Sequence, residues 1–172
     1  MGDRYSFRTL APAARRDGRP DITEILPNLL IGEYPTIEDV EWLKSTMGIT
    51  AVVCLQDDAD LAGKQLTPAR LHSAYISAGL EFRRMPVADG DGTALAAELK
   101  RIVRIVHEFI EARERVYIHC NAGMNRAPTV AIAYLHVHEE MALSEAREYV
   151  KERRLCLPYM SVLKEVYGSD EE

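Results

Sequence analysis

Val116-Tyr117-Ile118-His119-Cys120-Asn121-Ala122-Gly123-Met124-Asn125-Arg126-Ala127-Pro128 decides how this chain is read. Residues 116–119 form a short, mostly apolar run that reads as a buried strand, and residues 126–139 read as a helix. The loop between them starts with a cysteine and ends with an arginine in the first turn of that helix. Such a loop can curl so that successive backbone N–H groups point inward, and with the helix dipole it then holds a dianionic phosphate. Gly123 permits the curl, and Arg126 adds a planar fork for two phosphate oxygens. The candidate phosphate-binding residues are therefore Asn121, Ala122, Gly123, Met124, Asn125 and Arg126. The same donors face the sulfur of Cys120 and stabilise its thiolate, the form that acts as a nucleophile. His-Cys-x-x-Gly-x-x-Arg fixes four positions, and a chance match in a chain of 172 residues has odds on the order of one in a thousand or less. A buried cysteine acting as a small hydrophobe is the commoner case. That reading fits Cys156 and leaves Arg126 unexplained.

Upstream, short apolar runs alternate with helical stretches. Residues 22–25 and 29–32 read as a strand pair across a Pro27-Asn28 turn, and Thr36 caps a helix with Asp39 in the capping-box position. Residues 49–55 are nearly all apolar, as in a strand buried on both faces. Thr67 and Pro68 open a helix that should end at Gly79, and residues 81–87 form the next strand. Leu95, Leu99, Ile102, Val103, Val106, Phe109 and Ile110 recur at helical spacing, which predicts a long amphipathic helix over 94–113. Residues 144–154 and 159–167 close the domain as two more helices. The alternation predicts an α/β fold with a mostly parallel central sheet flanked by helices.

Composition sets the boundaries. With 172 residues, 47% of them hydrophobic, the chain accommodates one domain with a real core, expected over 21–168. Residues 1–20 read as a flexible arm and 169–172 as a solvated acidic tail. The arm opens Met1-Gly2-Asp3-Arg4-Tyr5-Ser6, a loose match to an N-myristoylation pattern whose bland alternative is a frayed terminus. A net charge of −6 argues against a broad nucleic-acid surface, so an anion must be met by a local site. Three cysteines make no secreted disulfide framework and point to a reducing, cytoplasmic setting. No apolar run reaches membrane-spanning length and no signal-peptide core is visible, so no membrane partner is expected. His136 and His138 lie two apart on a helix and make no zinc spacing with Cys156, so neither metal nor cofactor is assigned. The protein is expected to be a monomer.

The segment 116–128 resembles the signature loop of the cysteine-dependent protein tyrosine phosphatase superfamily, and the small size fits its dual-specificity branch. The low-molecular-weight branch carries a similar loop near the N-terminus, whereas Cys120 lies late in the chain. The resemblance implies that Cys120 attacks phosphorus, that Arg126 holds the equatorial oxygens, and that an Asp on a separate loop protonates the leaving oxygen and then activates water. His119 is implied to orient the loop. Met85-Pro86-Val87-Ala88-Asp89-Gly90-Asp91-Gly92 is similar to the family's strand-to-Asp passage, with Asp89 31 residues before Cys120. Asp89 directly follows the strand and is favoured as the acid over Asp91, although both also suit plain turns.

Gly-Met-Asn-Arg-Ala-Pro, with Ala127 after the arginine, resembles the corresponding run of plant glucan phosphatases and, with them, laforin. The similarity extends to residues 35–40, to Cys54-Leu55-Gln56-Asp57-Asp58-Ala59-Asp60 and to Arg154-Leu155-Cys156-Leu157-Pro158. The aromatic surfaces those enzymes use on sugars are missing at Gly90, Leu157 and Leu61-Ala62-Gly63, and no appended carbohydrate-binding module is expected within 172 residues. The expected partner is a phosphorylated carbohydrate or protein: a glucan, a phosphosugar or a phosphoprotein. The rival is a pseudophosphatase that binds phosphate without turnover, and sulfur transfer or arsenate reduction by the same loop is a third option. The resemblance also implies a redox role for Cys54. If 49–55 and 116–119 are neighbouring parallel strands, Cys54 and Cys120 leave the sheet at one edge, where a resolving thiol can trap a sulfenic acid.

Overall fold

The computed structural model describes residues 18–170. The N-terminal lipidation pattern therefore lies outside the described residues. Five strands, β1 (Ile22–Leu26), β2 (Leu29–Gly32), β3 (Ala51–Cys54), β4 (Glu81–Arg84) and β5 (Val116–His119), form one sheet in the order β1-β2-β5-β3-β4. Only β1 runs antiparallel to its neighbour; β2, β5, β3 and β4 are mutually parallel. The helices are α1 (Val40–Ser45), α2 (Asp58–Ala62), α3 (Pro68–Ser77), α4 (Gly92–Glu111), α5 (Arg126–His138), α6 (Leu143–Arg153) and α7 (Met160–Tyr167). The expected α/β class with a mostly parallel sheet is what the chain adopts.

Side chains alternate across β5, and that splits the core in two. Val116 and Ile118 join Ala51 and Val53 against α4, α5, α6 and α7, while Tyr117 joins Leu30 and Val52 against α1 and α3. Helix α4 contributes Leu95, Leu99, Ile102, Val103 and Val106, all buried, and each such side chain is worth about 1.5–3 kcal/mol of burial. Residues of β2, β3 and β5 are buried throughout, as the continuous apolar runs require.

Register places the site. Gly32 of β2 and Cys54 of β3 both pair with His119 of β5, so three parallel strands end at one level and the loop at Cys120 rises from the middle of that edge. Ligands of open parallel sheets gather at this kind of edge.

The boundaries differ from expectation in specific ways. The strand expected over 81–87 ends at Arg84, after which Met85 and Val87 still donate their N–H groups to Cys54 and Leu55 (2.8 and 3.0 Å) while the chain turns into a loop. Helix α4 starts at Gly92 rather than 94 because Asp91 accepts from the Ala94 N–H (2.9 Å). Helix α2 was not expected at all. Asp57 caps it and Asp60 returns to the Asp57 N–H (2.9 Å), a capping box written in acidic residues. Arg19, expected in the loose arm, pairs with Asp39 at 3.1 Å and lies over Trp42. The tail expected to be solvated puts the Asp170 carboxylate on the N–H groups of Leu143 and Ser144 (2.8 and 2.7 Å), where it caps α6.

Candidate active site

Cys120 is buried at the start of the central loop and Arg126, also buried, is the first residue of α5. Between them every backbone carbonyl from 120 to 125 is turned outward onto a donor. His119 Nδ1–H donates to Cys120 O (3.1 Å) and the Tyr34 N–H to Asn121 O (2.9 Å). Arg154 donates to Ala122 O (3.1 Å) and Gly123 O (2.7 Å), the Leu157 N–H to Met124 O (2.7 Å), and Thr129 Oγ1 to Asn125 O (2.7 Å). Among the described residues the N–H groups of 121–125 have no protein acceptor. A loop with all its carbonyls bound outside and its amides unclaimed within is a nest for an anion. Gly123 makes the curl with φ +65°, and a Cβ there would stand 2.5 Å from Arg154 Nη2 and from Gly32 C, so no other residue fits.

Arg126 enters this ring from below. Its Nη1 donates to Asp60 Oδ2 (2.7 Å) and to Val87 O (2.8 Å), while its Nε is buried without a hydrogen-bond partner among the described residues. One edge of the fork is thus spent on the protein and the other stays available to a ligand. Asp60 also accepts from Asn121 Nδ2 (2.6 Å), and Asn121 in turn accepts from Gln56 Nε2 (2.8 Å). Burial works to raise the Asp60 carboxyl, yet the hydrogen bonds from Arg126 and Asp57 outweigh it and hold it below the ordinary range. Asp60 is therefore an anion that fixes Arg126 and Asn121. Sequence reasoning did not single out Asp60; its visible signal was the Asp57-x-x-Asp60 capping pair directly after β3.

The structure separates the two candidate acids. Asp89 is largely exposed, with Oδ1 3.7 Å from Arg126 Nε, whereas Asp91 is engaged in capping α4. Tyr159 stands close by: burial raises its phenol and the Asp89 carboxylate adds to that. His119 is buried and its imidazole is pushed down to about 4, so it is neutral near pH 7 and holds the loop through its Nδ1–H. Cys54 does lie on the strand next to β5, at the same edge as Cys120. Its thiol is pushed up to about 12 by burial and donates to Gln56 Oε1 (3.6 Å), and it packs in the core cluster on the α1 and α3 side while Cys120 belongs to the other. Of the positions read as lacking the sugar-stacking aromatics, Leu61 is buried and Leu157 is exposed. Among the described residues no group of three His, Cys, Asp or Glu side chains is placed to hold a metal, and no helix is long and apolar enough to cross a membrane.

Comparison with known proteins agrees with this geometry. The family described as "Dual specificity phosphatase, catalytic domain" matches residues 29–168. The chain is 31% identical over 144 residues to the amyloplastic phosphoglucan phosphatase DSP4 of Castanea sativa, covering 81% of this chain and 38% of that protein. It is 28% identical to laforin of Mus musculus (77% and 43%) and 29% identical to dual specificity protein phosphatase 5 of Rattus norvegicus (76% and 30%). The chain thus spans less than half the length of these curated relatives. Among solved structures, Tk-PTP in its active form superposes with a TM-score of 0.73 at 24% identity, covering 84% of this chain and 95% of that one. PTPMT1 does so with 0.71 at 23%, covering 85% and 90%.

Proposed function

From the premise that this chain belongs to the dual specificity phosphatase catalytic-domain family, we propose that it hydrolyses phosphate monoesters through a phosphocysteine intermediate. The observation that carries the reading is the ring of unclaimed amides over 121–125 closed by the Arg126 Nε, which is buried without a hydrogen-bond partner among the described residues. A dianionic phosphoryl group placed there meets convergent N–H donors and one free edge of a guanidinium, with Cys120 at the start of the same loop.

In the first step the Cys120 thiolate attacks phosphorus, the P–S bond forms and the P–O bond to the leaving group breaks. Asp89 gives its proton to the departing oxygen as that bond breaks. In the second step the Asp89 carboxylate takes a proton from water, the water oxygen attacks phosphorus, and the sulfur leaves as thiolate with inorganic phosphate as product. Arg126 and the amides of Asn121, Ala122, Gly123, Met124 and Asn125 hold the three equatorial oxygens in the trigonal geometry of the transition state, over which its charge is spread. His119 orients the loop. The groups in these steps all belong to the chain itself.

The substrate class we propose is a phosphorylated glucan, phosphosugar or phosphoprotein, supported by relatives named as a phosphoglucan phosphatase and a dual specificity protein phosphatase. The phosphatase domain is assigned to 21–168, acting as a cytoplasmic monomer. The deciding experiment is phosphate release from phosphorylated glucan, phosphosugars, phosphotyrosine and phosphothreonine peptides and phosphoinositides, ranked by kcat/KM. Vanadate binding without release from any of them would convert the reading to a non-catalytic phosphate-binding module.

A redox role for Cys54 belongs to the same proposal. Because burial pushes that thiol up to about 12, its thiolate fraction, and with it any trapping of oxidised Cys120, should rise about tenfold per pH unit in the neutral range. Peroxide-inactivated protein should recover with dithiothreitol, and Cys54→Ser should not. Peptide mapping that finds no Cys54–Cys120 linkage would leave Cys54 as a core thiol held by Gln56.

A further inference from the structure

Helix α6 ends at Arg153, and the extended backbone of Arg154 carries a buried guanidinium under the phosphate loop. Its Nε donates to Gly123 O (2.7 Å) and its Nη2 to Ala122 O (3.1 Å), while Nη1 donates to Thr23 Oγ1 (3.1 Å) and Asp21 O (3.4 Å). The segment after it continues the support: the Leu157 N–H donates to Met124 O, and Asn125 Nδ2 donates to Leu157 O (2.7 Å).

The two carbonyls that Arg154 holds belong to the peptide units whose N–H groups are those of Gly123 and Met124. A curl that converges its N–H groups on one side must turn these carbonyls to the other, where they are buried and need donors. A cation on a carbonyl oxygen also polarises the whole peptide unit, so the N–H at its far end becomes a stronger donor. We propose that Arg154 is a positioning residue that acts through the Ala122–Gly123 and Gly123–Met124 peptides to orient and strengthen two of the amides that grip the phosphoryl group. The inference rests on the phosphate-binding reading of the loop. The two bonds to the carbonyls fix the plane of the guanidinium, its remaining edge lies toward Thr23 and Asp21, and a lysine ammonium cannot serve both carbonyls with that geometry.

The test compares wild type, Arg154→Lys, Arg154→Met and Thr23→Val by unfolding temperature, by orthovanadate dissociation constant, and by kcat and KM on an aryl phosphate. Charge-assisted hydrogen bonds of this kind predict a loss of vanadate affinity and of kcat/KM of about 10–100-fold in Arg154→Met, and a smaller loss in Arg154→Lys. Thr23→Val, which removes only the anchor to β1, should stay within about threefold. A folded Arg154→Met that binds vanadate within threefold of wild type overturns the proposal, as does a Thr23→Val loss equal to that of Arg154→Lys, which would make the role merely structural. Should neither Arg154 variant fold, NMR of the wild type decides. Vanadate should then shift the Arg154 Nε–H resonance together with the Gly123 and Met124 amides, and an unmoved Arg154 signal overturns the proposal. A wild type that binds no vanadate removes the phosphate-binding reading itself, and this inference with it.

Discussion

Two loops at the same sheet edge supply the two halves of the proposed chemistry, and they are built in opposite ways. The loop over 120–126 is fixed from outside: six consecutive carbonyls have donors, Arg126 is anchored by Asp60 and Val87, and His119 and Arg154 are buried beneath it. The loop over 88–91 is held lightly. Asp89 is 57% exposed, Gly90 has open space around it at φ +76°, and the Asp91 N–H bond to Ala88 O and the cap on α4 pin its far end. The difference fits what the proposed chemistry asks of each. Transition-state charge is best met by donors that need not reorganise, whereas an acid that becomes a base must admit first a leaving group and then water.

The largest effect expected on the rigid side is at the nucleophile. Cys120→Ser should keep the fold and bind vanadate while losing essentially all turnover, because an alkoxide is far harder to form there than a thiolate. Turnover near the wild-type rate would break the comparison at its root. Next comes Arg126→Lys, for which kcat/KM should fall more than about 100-fold, since a point charge cannot bind Asp60, Val87 O and two phosphate oxygens together. A loss under tenfold would show that the anchored fork is not what the loop depends on.

On the lightly held side the effect should depend on the substrate. Asp89→Ala should slow an alkyl phosphate by about 10²–10⁴-fold and an aryl phosphate of an acidic phenol much less, with the phosphocysteine accumulating as its hydrolysis loses a base. Asp91→Ala should change neither profile and should cost about 1 kcal/mol of stability through the lost cap on α4. Reversed profiles would move the acid two residues along the chain.

The last expected effect is on stability rather than turnover and returns to the rigid loop. Burial pushes His119 down to about 4 from an ordinary 6.5, so between those values the unfolded chain binds a proton that the folded chain refuses. The stability that depends on neutral His119 is complete above pH 6.5 and is lost as pH falls toward 4, about 3 kcal/mol in all. Urea unfolding of wild type and His119→Asn across that range should give converging curves. His138, lowered by burial and then by His107, slopes the same way in both proteins, so the difference isolates His119. Parallel curves would deny the loop its neutral buried anchor.

Much of this was legible in the chain. Local rules fix it: continuous apolar runs make β3 and β5 central strands, helical spacing makes α4, and a cysteine, a glycine and an arginine at set intervals between strand and helix define an anion loop. Asp89 was legible as a candidate because it follows the strand expected over 81–87, although that strand ends at Arg84 and the chain reaches Asp89 through a loop. The short helix α2 escaped because five residues carry too little periodicity, and with it escaped Asp60, whose partners Asn121 and Arg126 lie 61 and 66 residues away. Arg154 escaped for the same reason, since its acceptors are 31 and 32 residues back and the surrounding segment of α6 reads as an ordinary charged helix. What tells Asp89 and Asp91 apart is likewise spatial: one carboxylate is used as a helix cap and the other stands near Arg126. The sequence alone thus determined most of the secondary elements, the α/β class and the candidate loop, because those depend on neighbours a few residues apart. Only the tertiary structure decided what holds that loop in shape, because register in the parallel sheet brings distant segments to one edge and no local pattern records which side chains meet there.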